Sequence, residues 1–476
     1  EFRRFLIVIL HRNTQRTPQL IMQASGESHN GRYAFLRQYR GLLRQAATEF
    51  TVVLLFVDLT FLLLNQYDTN TYYRPLATRL ARLGTETAYK ISEEAAQRKS
   101  KGLVTYNYHI GDLNFNTPKV VKQALLKAVE SNKTGYCAAS GVPEFRTALA
   151  KHIGENRGVE YSMENVSVQS GGKPVIMKFL SCVMNPGDSV MYPTPGYPIY
   201  ESQIKYLGGK PLPYSIEQTD SGFRINLDHF RENAKKAKVL IYNNYQNPTG
   251  IASSPEEMQE IAKIAVEHNM WVLSDEAYFD LVYEQEKRSI VALPGMKERT
   301  IILHTFSKSW AMTGWRLGAA IGPTSVINMI NKLNTNDEAC TTHFIQYAGI
   351  SCFTDEAKCF INDLVAELKK RRDAFVRGIN TIPGFKAFPP QAAFYLFVNC
   401  TKAMQMCGCD SVEEFRKLMA EETGVMVCTR EHFGTPLDGE KEKYIRFAYS
   451  SVDIPLINKG VEVLHAWMTS KAKDSA

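Results

Sequence analysis

Residues 301–318 read Ile-Ile-Leu-His-Thr-Phe-Ser-Lys-Ser-Trp-Ala-Met-Thr-Gly-Trp-Arg-Leu-Gly. Positions 301–303 are apolar and β-branched, the pattern of a short buried strand. A turn of small hydroxyl residues follows, Thr305, Ser307 and Ser309, with Lys308 inside it, and Arg316 stands eight residues beyond. A lysine just past the end of a buried strand can have its amine held uncharged, and an uncharged amine is a nucleophile toward carbonyls. Taken alone, Ser-Lys-Ser equally describes a solvated surface turn. The rest of the chain decides between the two.

Working outward, the same cadence precedes this stretch four times. An apolar strand at 166–169 leads to Gly171-Gly172-Lys173 and a helix to 183. One at 189–192 leads to Pro193-Thr194-Pro195-Gly196-Tyr197. One at 238–242 leads to Asn247-Pro248-Thr249-Gly250 and a helix over 256–268, and one at 271–273 leads to Ser274-Asp275-Glu276-Ala277-Tyr278. Strand, loop and helix repeated in this way predict an α/β fold, a mostly parallel sheet with helices on both faces. Ligands in such folds gather outside the carboxyl ends of the strands, which is where each of these unusual loops lies. Helices are expected at 118–131 and 145–156 before the sheet, and at 326–336 and 355–380 after it. Strands at 393–398, 425–429 and 444–449 then predict a smaller C-terminal α/β domain. The division expected is an N-terminal extension over 1–72, an arm and part of the small domain over 73–115, a large domain over 116–350 and a small domain over 351–476.

Composition sets the outer bounds. Of the net charge of +7, residues 1–89 hold +5, from eleven arginines and no lysine against six acidic residues. The remainder is close to neutral and carries no nucleic-acid footprint. The most apolar run, residues 50–64, is broken by Asp58 and falls short of the ~20 residues that span a bilayer. A membrane anchor, an arginine-rich targeting leader and an extension without a stable fold stay open for residues 1–72. Nine cysteines, odd in number and irregularly placed, argue for a reducing, cytoplasmic setting and against a disulfide scaffold. Cys407-Gly408-Cys409 has no second ligand pair at zinc spacing, so no metal site is expected.

Singly, each loop has a plain structural reading: a helix start at Gly171-Gly172, a turn at Asn247-Pro248, a helix cap at Asp275, a core ring at Tyr197, a surface cation at Arg316. Together, in this order and spacing, they resemble the fold-type I pyridoxal-phosphate aminotransferases of class I/II, over about residues 75–470. The resemblance implies a large domain with a sheet of the seven-stranded type. It implies pyridoxal 5′-phosphate as cofactor, with Lys308 as the lysine that joins it and then moves the substrate proton as base and acid. Asp275 would pair with the pyridine nitrogen, Tyr278 and Asn247 would bond the ring oxygen, and Tyr197 would stack on the ring. Gly171, Gly172, Thr305, Ser307 and Arg316 would cradle the phosphate. Tyr136 matches a tyrosine that reaches the phosphate of a neighbouring subunit, which implies a homodimer with shared sites.

Arg446 matches the arginine that clamps the substrate α-carboxylate, with Gly111 and Asn247 close by. Lys173 either reads a distal carboxylate or simply adds charge near the phosphate. The activity implied is transfer of an amino group from an L-amino acid, aspartate for preference, to a 2-oxo acid. A β-lyase or other elimination on the same cofactor shares these residues. A ligand-sensing regulator with a DNA-binding N-terminus is a third reading; residues 1–89 lack a clear helix-turn-helix pattern for it.

Overall fold

In a computed structural model, residues 76–84 and 88–474 are described. The expected features of residues 1–72, including the apolar run at 50–64, lie outside them. Among the described residues thirteen strands occur in chain order: β1 (Tyr106–Asn107), β2 (Val166–Gln169), β3 (Ser189–Thr194), β4 (Lys210–Thr219), β5 (Gly222–Ile225), β6 (Val239–Tyr242), β7 (Trp271–Asp275), β8 (Thr300–Thr305), β9 (Gly318–Ile321), β10 (Tyr395–Asn399), β11 (Val425–Met426), β12 (Cys428–Thr429) and β13 (Tyr444–Ala448).

The main sheet has the order β2-β9-β8-β7-β6-β3-β4-β5. Strands β8, β7, β6, β3 and β4 are parallel neighbours. β9 runs antiparallel between β8 and β2, and β5 folds back antiparallel on β4. The sheet therefore has eight strands rather than the seven expected, and the regions of β4, β5 and β9 carried no strand signal.

For β9 and β4 the omission has a physical cause. β9 reads Gly-Ala-Ala-Ile, residues chosen for close approach rather than strand propensity. A Cβ on Gly318 would lie 2.7 Å from the Gly171 carbonyl carbon and 2.9 Å from the His304 oxygen, so only glycine lets β9 pass there. β4 contains Pro211 and Pro213, which argue against a strand. Both lie in the half that pairs with β3 alone, since β5 joins only from Ile216 onward. A missing N–H on that open side breaks no ladder.

The parallel strands are apolar on both sides because both sides are covered. Val239 and Ile241 of β6 join one core with Val175, Phe179 and Leu180 of the helix Lys173–Val183. Leu240 and Tyr242 join another with Met258, Ile261 and Ala265 of the helix Pro255–Glu267. The first of these helices starts directly after Gly172, so its amide ends face the sheet's carboxyl edge. The second is capped by Ser254, whose hydroxyl accepts from the Glu257 N–H at 3.1 Å.

A second sheet, β10-β13-β12, is antiparallel, and β1 pairs in parallel with β11. The expected strand at 425–429 is split at Val427, leaving β11 and β12 in different sheets. The core behind them draws on Phe375 and Ile379 of the long helix Asp355–Ile379, on Leu464 and Met468 of the last helix, and on Tyr108, Phe394 and Phe447. A helix at His343–Ile350 adds to those expected. Gly318→Ala should lower the unfolding free energy by about 1–3 kcal/mol through overpacking. The check is a reduced urea midpoint at unchanged slope.

Candidate active site

The carboxyl ends of β3, β6, β7 and β8 open into a cavity of about 610 Å³ whose far wall comes from β12, β13 and the segment around 109–112. Gly111, Gly172, Lys173, Tyr197, Asn247, Asp275, Tyr278, Thr305, Ser307, Lys308, Arg316 and Arg446 all line it. Residues separated by more than three hundred positions thus meet in one space.

Lys308 lies in the short helix Phe306–Ser309, started by Thr305, whose hydroxyl accepts from the Ser307 N–H at 3.3 Å and donates to the Ser307 hydroxyl at 3.0 Å. Its Nζ reaches across the cavity and donates to the Gly111 carbonyl at 2.6 Å. Gly111 is required by its neighbour: a Cβ there would fall 2.2 Å from the Tyr395 hydroxyl. That hydroxyl lies 2.8 Å from the hydroxyl of Tyr278.

Asp275 ends β7 in a fully enclosed position. Tyr200 donates to its Oδ2 at 2.6 Å, and the Ala277 N–H donates to Oδ1 at 3.1 Å. Asn243 secures the backbone at the same point, donating from Nδ2 to the Asp275 carbonyl at 2.9 Å. Burial raises the Asp275 carboxyl from 3.8 to about 6, with the two donated bonds pulling the other way. The next residue, Glu276, forms a buried ion pair with Arg157 at 2.9 Å and accepts from Ser274 and Ser289.

Arg446 enters from β13, only 5% exposed. Its Nη1 donates to Asn247 Oδ1 at 3.1 Å and its Nη2 to the His109 carbonyl at 2.6 Å. The guanidinium carbon lies 4.4 Å from the Tyr395 ring centre and 4.7 Å from that of Phe433, and cation–π attraction holds it there. Its Nε is buried without a hydrogen-bond partner. Among the described residues no carboxylate pairs with it, although a buried charge normally requires one. His109 beside it is pushed down to about 4, first by burial and then by the Arg446 charge, and so stays neutral.

At the other end, Arg316 adopts a left-handed backbone, φ 56°, and donates to the Thr313 carbonyl at 2.8 Å. Gly171 stands behind it: a Cβ there would meet Arg316 Nη2 at 2.4 Å. Gly171 thus supports the wall without lining it.

The profile described as aminotransferase class I and II matches residues 103–464. The chain belongs to that family. This aminotransferase is 33% identical to the aspartate aminotransferase of Sulfolobus acidocaldarius over 369 residues, 77% of this chain and 90% of that one. It is 30% identical over 366 residues to a probable aspartate/prephenate aminotransferase of Aquifex aeolicus, 76% of this chain and 92% of the other. The structure of Thermus thermophilus aspartate aminotransferase with maleate superposes with a TM-score of 0.75 at 25% identity, covering 83% of this chain and all of that one.

Of the residues expected at the aminotransferase site, Gly171 and Tyr136 lie off the cavity lining. Tyr136 is 90% exposed on the outer surface. Tyr200, Tyr395, Asn243, His109, Cys428, His432 and Phe433 belong to the site and were not singled out from sequence. Tyr200 had one available signal, its position three residues after Tyr197, one helical turn on. The two rings meet edge to face at 5.6 Å.

The Asp275 shift gives a pH test. Its folded value, about 6, exceeds the ordinary 3.8, so the native state holds the proton more tightly and is favoured at low pH. Stability contributed by this group falls as pH rises from 4 through 6. In protein stripped of small molecules, wild type relative to Asp275→Asn should lose about 2 kcal/mol between pH 4 and 7. Urea titrations across that range measure it; a constant difference between the two proteins rejects the buried-carboxyl account.

Proposed function

We propose that the cavity binds pyridoxal 5′-phosphate and an α-amino acid together, and that the enzyme transfers the amino group to a 2-oxo acid, with aspartate as the preferred donor. One observation carries the reading: a lysine amine, an enclosed carboxylate and a buried guanidinium with no carboxylate partner among the described residues share one space. Each suits a different part of the pair. The Gly172 amide end of the eleven-residue helix Lys173–Val183, the hydroxyls of Thr305 and Ser307 and the Arg316 guanidinium are the donor set of a phosphate dianion. Asp275 at the opposite end is the acceptor of a pyridinium N–H. Its raised value favours a cationic partner, which would draw the carboxylate back to its charged form.

When bound, the cofactor supplies the electron sink that makes the substrate Cα–H acidic. The protein's part is positional. Arg446, clasped between two rings, fixes the α-carboxylate by a planar fork and so sets which Cα bond faces the ring. Lys308 would take the substrate Cα proton as base and, once protonated, serve as acid. Tyr278, backed by Tyr395, and Asn247 would bond the cofactor's ring oxygen. Lys173, 6.0 Å from the Tyr197 ring centre, offers charge to a distal substrate carboxylate. The aspartate aminotransferases among the relatives support that choice of donor. We also propose a homodimer, in which the exposed Tyr136 completes a partner's phosphate site. For compartment we propose the cytoplasm, favoured by nine cysteines without a disulfide. Among the described residues no helix is long and apolar enough to cross a membrane.

Lys308→Ala should lose transamination by about three orders of magnitude or more while still binding pyridoxal phosphate without a covalent link. Turnover and a dialysis-resistant chromophore are the two measurements, and full turnover in the variant rejects the assignment. Arg446→Lys keeps the charge but loses the fork. It should raise the KM for aspartate about tenfold or more. Incubating aspartate or a β-substituted amino acid without an oxo-acid acceptor separates transfer from elimination: a transaminase stops after one equivalent, whereas a lyase continues to form 2-oxo acid.

A further inference from the structure

We propose that His432 determines specificity: its neutral imidazole donates from Nε2 to an oxygen on the side chain of the amino acid whose carboxylate Arg446 holds. The proposal deepens the aminotransferase reading and rests on it.

His432 closes the short 3-10 turn Arg430–His432 after β12. The backbone N–H of Thr429, which can only donate, lies 3.1 Å from His432 Nδ1, and the Thr429 hydroxyl lies 2.7 Å from the same nitrogen. A ring nitrogen that accepts from an amide carries no proton, so the neutral ring bears its hydrogen on Nε2. Burial, with the nearby arginines 416 and 446, holds the imidazole below its ordinary value against the opposing charge of Glu413. The group is therefore an uncharged donor.

The ring lines two spaces at once: the cavity described above and an adjoining groove of about 680 Å³ bordered by Arg82, Pro198 and Glu201. With Nδ1 committed to Thr429, Nε2 is the polar edge left for those spaces. Its place is fixed from several directions. Arg430, 4% exposed, donates to both carboxylate oxygens of Glu440 at 2.9 and 2.7 Å, to the Thr194 hydroxyl at 2.8 Å and to the Gly434 carbonyl at 3.0 Å. The Gly196 N–H donates to the Phe433 carbonyl at 3.0 Å, and the Thr435 N–H to Glu201 at 2.9 Å. The loop is thereby stapled to the end of β3. Phe433, the adjacent residue, stacks on Arg446. The donor for the substrate side chain thus sits on one rigid turn beside Phe433, the ring that holds the carboxylate anchor of β13. A hydrocarbon side chain there leaves the donor unpaired, whereas a carboxylate, amide or carbonyl oxygen satisfies it.

Calorimetric titration of the pyridoxal-phosphate-loaded enzyme with succinate and with propionate tests this without turnover. The ratio of the two affinities should fall about five- to tenfold in His432→Phe and in His432→Leu, the size of one lost hydrogen bond. His432→Gln, which keeps an uncharged N–H donor, should recover most of it. Either apolar variant with a wild-type melting temperature suffices. An unchanged ratio in that variant, or a ratio equally reduced in His432→Gln, overturns the proposal. Wild-type enzyme that transaminates no amino acid overturns instead the reading beneath it.

Discussion

A guanidinium buried with no carboxylate beside it among the described residues is the constraint on which the site depends. Desolvating Arg446 costs several kcal/mol that the protein only partly offsets, through two aromatic faces, a backbone carbonyl and one amide oxygen. Those partners come from four separated segments: β10 supplies Tyr395, the loop after β12 supplies Phe433, the stretch before Gly111 supplies the His109 carbonyl, and the loop after β6 supplies Asn247. β13 is central in its own sheet, with Phe397 and Cys428 as neighbours of Arg446 on either side. Placing one cation therefore fixes how the second sheet stands over the carboxyl edge of the first.

Asp275 poses the opposite problem at the other wall. A carboxylate at the end of a fully covered parallel strand has little solvent, and three groups hold it: Tyr200 from the helix Ile199–Tyr206, the Ala277 amide two residues on and, through the backbone, Asn243 after β6. Lys308 lies between these two enclosed charges and reaches the Gly111 carbonyl. The two halves are in contact through that amine before any small molecule is considered.

The sequence made much of this legible where the signal is local. Apolar runs at β6, β7 and β8 announce buried parallel strands, and the loop after each run supplies residues that line the cavity. Lys308, Asp275 and Asn247 were singled out from those loops, and Arg446 by family resemblance. Residues whose part depends on a distant contact were not legible. Tyr395 matters because its hydroxyl meets Tyr278 and leaves no room for a side chain at Gly111. Tyr200 matters because Asp275 lies across a strand gap from its helix. Gly171 was expected to touch phosphate, whereas its missing side chain makes room for Arg316. β9 has no propensity signal because its small residues answer the backbone beside them, and β4 hides behind two prolines.

Those prolines have a further consequence. Among the described residues, the first half of β4 has β3 on one side and no strand on the other, the kind of border that invites another chain to pair. Pro211 and Pro213 offer no N–H to such a visitor. The Pro213 carbonyl is occupied by Asn233 Nδ2 at 2.8 Å, and that of Ser215 by the Asn226 N–H at 3.0 Å. Two donors are missing and these two acceptors are taken, so the border is a poor template for a ninth strand. The sheet's width is set chemically at that border, and a self-association route open to many parallel sheets is disfavoured.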